Sequence, residues 1–95
     1  MGVYYYFYND TQSVPNDKNI PGYNLPFVAK FDWLPEYEII KIFKSVIDVN
    51  KWSVMDIIQA EPDDNDHPLI IYQDGNIEFI DPSEYDEDYE DDYDY

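Results

Sequence analysis

The chain has 95 residues, and 22 Asp and Glu against five Lys and no Arg set its formal net charge at −17. A chain of this length makes one domain, and this charge argues against direct binding to nucleic acid or to anionic membranes, since both contacts need a basic surface. There is no cysteine, so a disulfide framework, a thiolate nucleophile and a cysteine-based zinc site are excluded.

The N-terminus lacks the features of a targeting segment. It has no basic region and no apolar run long enough to span a bilayer, and Tyr6 stands where myristoylation requires Ser or Thr. We therefore expect a soluble intracellular protein, cytoplasmic or, if viral, acting in the host cell. The many Lys, Ile, Asn and Tyr residues without Arg indicate an AT-rich genome, as in a phage, a large DNA virus or a low-GC bacterium.

The first predicted element is a strand over residues 3–8, VYYYFY, which is uniformly aromatic and β-branched. Because polar and apolar residues do not alternate, we expect the core to cover one face and a partner or a neighbouring segment to cover the other. Residues 9–26 contain three prolines and a glycine and are predicted to form a long loop.

The main helix is predicted over residues 35–50, after a short strand at residues 27–32. Asp32 is expected to be its N-cap, with Pro35 in the first turn, and Lys44 and Asp48 form an i,i+4 pair. Apolar residues with helical spacing give the helix one buried face: Ile39, Ile40, Phe43, Val46 and Ile47.

A second, short helix is predicted over residues 54–60, because Ser53 and Asp56 match a capping pattern. A strand remains the alternative for this apolar run. Residues 61–68 are a predicted loop. Residues 69–72 and 77–80 form a predicted hairpin, since Asp74-Gly75 is the preferred pair for a two-residue type I′ turn.

These elements predict an α+β fold in which a small antiparallel sheet of three or four strands, ending in the hairpin, packs against one main amphipathic helix. Residues 1–80 form this single domain. Residues 81–95 form an acidic, Tyr-rich C-terminal tail.

No catalytic or metal-binding pattern emerges from the sequence. The one histidine, His67, lies near Asp63, Asp64 and Asp66, but the spacing does not fit a calcium loop, and a solvated turn is the better interpretation. No serine has a nucleophile motif, and the three glycines are far apart. We therefore predict a non-enzymatic protein with no catalytic residue, no metal and no cofactor.

The tail is the most distinctive segment, with nine acids, four tyrosines and no base. Tyr85, Tyr89 and Tyr93 recur every four residues, which would align them along one side of a helix. Rows of like charge oppose that helix unless a basic partner neutralises them. The tail is therefore interpreted either as a disordered acidic arm that keeps the protein soluble or as a segment that folds on binding a basic partner. The candidate partner-binding residues are Glu84, Tyr85, Asp86, Glu87, Asp88, Tyr89, Glu90, Asp91, Asp92, Tyr93, Asp94 and Tyr95.

Carboxylates and aromatic rings together offer what nucleic acid offers to a basic protein: negative charge and π faces. This composition resembles that of small acidic proteins of phages and mobile elements that imitate nucleic acid. The leading interpretation is therefore an inhibitor that mimics nucleic acid and binds a nucleic-acid-binding protein or nuclease. An acidic chaperone or assembly partner of a basic protein is one alternative. Another is a structural homo-oligomer, such as a homodimer, paired through residues 3–8 as an exposed edge strand.

Overall fold

A computed structural model of the protein describes residues 3–85, which form a six-stranded sheet and one main helix. The first half contains strands β1 (Tyr4–Asn9), β2 (Val14–Pro15) and β3 (Phe27–Ala29), a 3-10 turn (Phe31–Trp33) and helix α1 (Glu36–Asn50). The second half contains strands β4 (Ile58–Pro62), β5 (Leu69–Gln73) and β6 (Asn76–Ile80) and a short helix, α2 (Pro82–Tyr85).

All strand pairs are antiparallel, in the order β2-β1-β4-β5-β6, and β3 pairs with β1 along the edge that β2 also uses. The α+β class and the single main helix are therefore confirmed. The expected three or four strands are too few, because the loop of residues 9–26 contributes β2 and the segment predicted as a second helix contributes β4.

The second helix was a wrong prediction, although its local capping interactions do form. The Asp56 carboxylate accepts a hydrogen bond from Ser53 N (3.2 Å), and Ser53 Oγ accepts one from Met55 N (3.0 Å). These bonds close a single turn. The chain then extends, because β4 pairs with β1 on one side and β5 on the other and so satisfies its backbone groups there.

Strand β1 lies inside the sheet, so residues 3–8 are not the exposed edge strand that a homo-oligomer was expected to use. Its side chains alternate: Tyr5, Phe7 and Asn9 are buried, whereas Tyr4 and Tyr6 are exposed. One face of the strand is thus covered by the core, as expected.

Helix α1 packs on this inner face and confirms the predicted main helix. Pro35, rather than Asp32, occupies the N-cap position, and Asp32 lies in the preceding 3-10 turn. The rings of Phe7, Phe31 and Phe43 meet edge to face at centroid distances of 5.3–5.5 Å. These aromatic contacts tie the first strand, the 3-10 turn and the helix into one core.

The predicted hairpin is also confirmed. Gln73 pairs with Asn76, and the two residues between them, Asp74 (φ 52°) and Gly75 (φ 85°), have the positive φ angles of a type I′ turn.

Helix α1 is followed by Lys51, which adopts a left-handed conformation (φ 58°, ψ 38°). No helix among residues 3–85 is long and apolar enough to cross a membrane.

Candidate functional site

Of the partner-binding residues predicted in the tail, the structure describes Glu84 and Tyr85, which end the short helix α2. Glu84 is exposed, and its backbone N–H donates to Asp81 O (2.8 Å). The other ten, residues 86–95, lie outside the described residues. Their role in binding a partner remains a prediction.

The outer face of the sheet carries a row of tyrosines that sequence reasoning did not single out. The side chains of Tyr4 and Tyr6 are 43 % and 47 % exposed. Both rings contact Phe27 on the neighbouring strand, at centroid distances of 5.1 and 5.2 Å. Tyr8 continues the row and is half-buried. Large aromatic groups are therefore held on a rigid strand facing away from the helix.

Two glutamates share this face. Glu61 lies directly opposite Tyr6, and Gln59 Nε2 donates a hydrogen bond to the Glu61 carboxylate (3.3 Å). The next row across the sheet runs from Tyr8 through Gln59 and Ile71 to Glu78. Both glutamates are exposed. We call the surface formed by Tyr4, Tyr6, Tyr8, Glu61 and Glu78 the open sheet face.

Strand geometry sets the spacing of the two carboxylates. Glu61 and Glu78 stand two strands and two residues apart, which places their Cα atoms about 12 Å from each other. At this spacing each carboxylate can engage a cation of its own. No strand among residues 3–85 contains a lysine, so the strand positions of this face carry acids and rings without a compensating base.

Sequence reasoning missed the open sheet face because the run VYYYFY does not reveal which tyrosines point inward. In the structure the Tyr5 hydroxyl donates to Pro68 O (2.7 Å), 63 residues away, and its ring contacts Phe31. That polar partner lets a tyrosine occupy the core. Glu61 was missed for another reason: it was assigned to a loop, whereas it lies on β4.

Three of the five lysines lie at a groove on the helix side of the sheet. Lys41, Lys44 and Lys51 line a groove of about 910 Å³ between the C-terminal half of α1 and the β5–β6 turn. The chain's other two lysines have partners: Lys18 lies 3.6 Å from the Asp17 carboxylate, and Lys30 lies over the Trp33 ring at 5.6 Å. We call the cavity lined by Lys41, Lys44, Ser45, Asp48, Lys51 and Trp52 the lysine groove.

None of the three ammonium groups of the groove forms an ion pair within the described residues, although the carboxylates of Asp48 and Asp74 also line the groove. Within residues 3–85, no carboxylate oxygen lies within 4.0 Å of any of them. The i,i+4 ion pair predicted between Lys44 and Asp48 is therefore not formed. The groove also has an apolar wall, to which Ile47 and the half-buried Trp52 contribute.

The acidic loop between β4 and β5 is organised around His67. His67 Nδ1 lies 3.1 Å from both carboxylate oxygens of Asp64, and Asp64 Oδ1 also accepts a hydrogen bond from Asp66 N (3.2 Å). The hydrogen bond to Asp64 raises the pKa of His67, although burial opposes the shift. Burial alone would raise the pKa of Asp64, but the hydrogen bonds from His67 and Asp66 outweigh it and lower that pKa.

Two observations bear on whether this loop binds a metal. Asp63 accepts a hydrogen bond from Tyr4 N (3.3 Å), so it closes the loop against β1. Among residues 3–85, no group of three or more metal-ligating side chains is arranged to hold an ion. The contacts that the loop does make are those of a structured turn.

A buried polar cluster connects the end of β1 to the turn before β4. Asn9 is fully buried, and its side-chain amide donates to Asp56 Oδ2 (2.9 Å). Gln12 Nε2 (2.7 Å) and Ser53 N (3.2 Å) donate to the same oxygen. These hydrogen bonds, led by that from Asn9, lower the pKa of Asp56. The cluster is satisfied internally and supports the sheet.

Comparisons with protein-family models, with curated proteins and with solved structures found no match to this chain. The function proposed below rests on the residues and geometry of the molecule alone.

Proposed function

We propose that this protein is a non-enzymatic acidic binding protein that engages a basic, nucleic-acid-binding surface of another protein, as a nucleic-acid mimic. The open sheet face carries this proposal, because it holds exposed tyrosine rings and carboxylates on rigid strands without a lysine among them. The tail, Glu84 to Tyr95, would add negative charge to the same contact.

The proposed partner follows from this chemistry. A surface that binds nucleic acid carries Lys and Arg for phosphates and often aromatic or guanidinium planes for bases. Glu61 and Glu78 would pair with such cations, while Tyr4 and Tyr6 would take cation–π or stacking contacts. Rings fixed on a strand lose little conformational entropy on binding, which favours aromatic residues as interface anchors.

The net charge would act on association rates as well as on affinity. Residues 3–85 contain 15 acids and five lysines, a net charge of −10, and the whole chain carries −17. Fields of this size speed encounter with a basic partner and lose strength as salt is added. A mimic with this field should bind its partner competitively with DNA or RNA.

The experiment is affinity capture from a lysate of the source organism, at low and moderate salt, followed by elution with duplex DNA or RNA. We expect the full chain to retain one basic nucleic-acid-handling protein that nucleic acid releases. Glu61→Gln and Glu78→Gln should each weaken binding about 2- to 10-fold. Their effects should multiply in the double variant, because substitutions at well-separated sites are usually additive in free energy.

A matched control neutralises two glutamates on the helix side. Glu36→Gln/Glu38→Gln, at the start of α1, removes the same amount of charge from the opposite layer. If both double variants weaken binding equally, net charge alone explains the contact and the open sheet face is not the site. Tyr6→Ser separates ring contacts from charge, since it leaves the field unchanged.

Other outcomes would favour the alternatives. Retention of many basic proteins, lost together at moderate salt and insensitive to the order of residues in the tail, would indicate an acidic chaperone. Recovery of the protein alone would indicate a homo-oligomeric component. Either result would contradict the proposed mimicry.

A further inference from the structure

We propose that the lysine groove binds an acidic peptide segment, and that its occupant is this chain's own residues 86–95. The inference goes beyond the proposed function and does not depend on it. It starts from three lysines that share one groove and have no carboxylate within 4.0 Å in residues 3–85.

The composition of the groove matches that of the segment. Residues 86–95 contain seven acids, three tyrosines and no base. The groove offers three lysines, Lys41, Lys44 and Lys51, against two lining aspartates, Asp48 and Asp74, and has an apolar wall that includes Trp52 and Val54. Acidic side chains would pair with the lysines, and tyrosine rings would pack on the wall. The groove volume, about 910 Å³, is in the range of cavities that accept organic ligands.

The end of the described chain is close enough for this contact. Asp74 and Gly75 line the groove, and β6 starts directly after them at Asn76. The five residues of β6 carry the chain only about 14 Å from that turn, and α2 follows after one residue. Ten further residues span up to about 33–36 Å when extended. The segment is therefore long enough to return to the groove.

Lys51 places its cation at the groove from the residue that follows the end of α1. Lys51 occupies the position after the helix end where glycine is the usual residue, and it does so in the left-handed region (φ 58°). A left-handed conformation is unfavourable for a residue with a side chain. A lysine there keeps a cation at the groove despite this strain.

Tethering favours the chain's own segment over a free anion. Exposed ion pairs each favour binding by only about 1.5- to 5-fold, and a protein of net charge −17 repels anions from solution. A covalently attached segment instead reaches an effective concentration on the order of millimolar. Contacts too weak to hold a free peptide can therefore hold residues 86–95, and salt should release them.

The absence of native cysteine allows a direct test in the full chain. A nitroxide is attached to Tyr95→Cys, and paramagnetic broadening of backbone amide signals is measured by NMR. We expect amide signals at Lys41, Lys44 and Lys51 to lose at least half their intensity at low salt. They should recover near 1 M salt, where the screening length is about 3 Å. A label at Ser83→Cys, on α2, controls for proximity of the domain's end to the groove.

The variant Lys41→Gln/Lys44→Gln removes two of the three cations of the groove, while it keeps helix propensity and leaves the helix end intact. Because these cations are lost, broadening in this variant should fall by more than half. Equal broadening with and without these lysines, or broadening centred on the open sheet face, would overturn the inference. A second sample mixes nitroxide-labelled protein without ¹⁵N with ¹⁵N protein without nitroxide. Broadening of the groove signals in this mixture, as strong as in the doubly labelled chain, would also overturn the inference, since the occupant would then be a second copy.

Discussion

The side chain of Asn9 offers the sharpest test of how the sheet is held together. It is fully buried, donates to Asp56 Oδ2 at 2.9 Å and accepts from Gln12 N at 2.8 Å. Asn9→Ala removes one hydrogen bond to a charged group and one to a neutral group. Such bonds contribute about 1.5–3 and 0.5–1.5 kcal/mol, so we expect the variant to lose about 2–4 kcal/mol of unfolding free energy. That is a large part of the 5–15 kcal/mol typical of a domain.

Urea unfolding near pH 7 measures this loss. With a slope of roughly 1–2 kcal/mol/M, the midpoint of Asn9→Ala should fall by about 1–4 M. Asn65→Ala is the matched control, because Asn65 is exposed on the loop before β5, and its effect should stay within about 0.5 kcal/mol. Equal midpoints for the two variants would refute the reasoning, since the buried cluster would then contribute nothing.

The pH dependence of the same variant tests whether the charge of Asp56 is involved. The hydrogen bond from Asn9 is the main cause that lowers the pKa of Asp56 in the folded state. The resulting stability is present above the unfolded pKa, about 3.9, and is lost as pH falls through the lower folded value. The gap between wild type and Asn9→Ala should therefore narrow in acid. A gap that stays constant would mean that the Asp56 carboxylate is not the partner that matters.

Two further predictions concern His67 and Lys51. Hydrogen bonding to Asp64 raises the pKa of His67 in the folded state, so this interaction stabilises the protein fully below the unfolded pKa of about 6.5 and is lost as pH rises through the raised value. In His67→Gln, the melting temperature should therefore depend less on pH between about 6.5 and the raised pKa of His67. An unchanged slope in this range would contradict a stabilising interaction between His67 and Asp64. Lys51→Gly should raise the unfolding free energy by about 0.5–1 kcal/mol in urea titrations, because glycine relieves the left-handed strain. A loss of stability would show that the lysine side chain contributes more than the strain costs.

Elements with a strong local signal were predictable from sequence. The apolar spacing from Ile39 to Ile47 identifies most of the inner face of α1, although the prediction included Ile40, which is half-buried, and missed the buried Ile42. Asp74-Gly75 identifies the turn of the hairpin. In both cases a few adjacent residues determine the backbone geometry, through helical periodicity or through tolerance of positive φ. These are the places where sequence reasoning and structure agree.

The segment after α1 was not predictable in the same way. Ser53 and Asp56 form the capping bonds that usually start a helix, but they close only one turn. The strand that follows is determined by pairing with β1 and β5, which are distant in sequence. Asn9 at the end of β1 and Gln12 just after it also hold Asp56, although both are more than 40 residues away in sequence. Non-local partners override local preference here, which no short window of sequence reveals.

The candidate sites depend on the same kind of non-local information. The lysines at positions 41 and 44 could be placed on one polar side of the helix from their spacing alone. Their proximity to Lys51 and to the Asp74 turn depends on how the helix packs on the sheet. The open sheet face likewise requires knowing that Tyr5, and not Tyr4 or Tyr6, points inward.

Residues 86–95 cannot bind the lysine groove and a basic partner at the same time, so the two proposed contacts compete. If the segment pairs with the lysine groove, it is withheld from a basic partner until that partner offers stronger contacts. Arginine forks bind carboxylates in two-pronged hydrogen bonds that lysine ammonium groups do not match. A partner rich in arginine would therefore compete residues 86–95 away from the lysine groove. It would then bind these residues in addition to Glu61 and Glu78. Lys41→Gln/Lys44→Gln should then bind such a partner more tightly than wild type, because less of the tail's charge has to be released first.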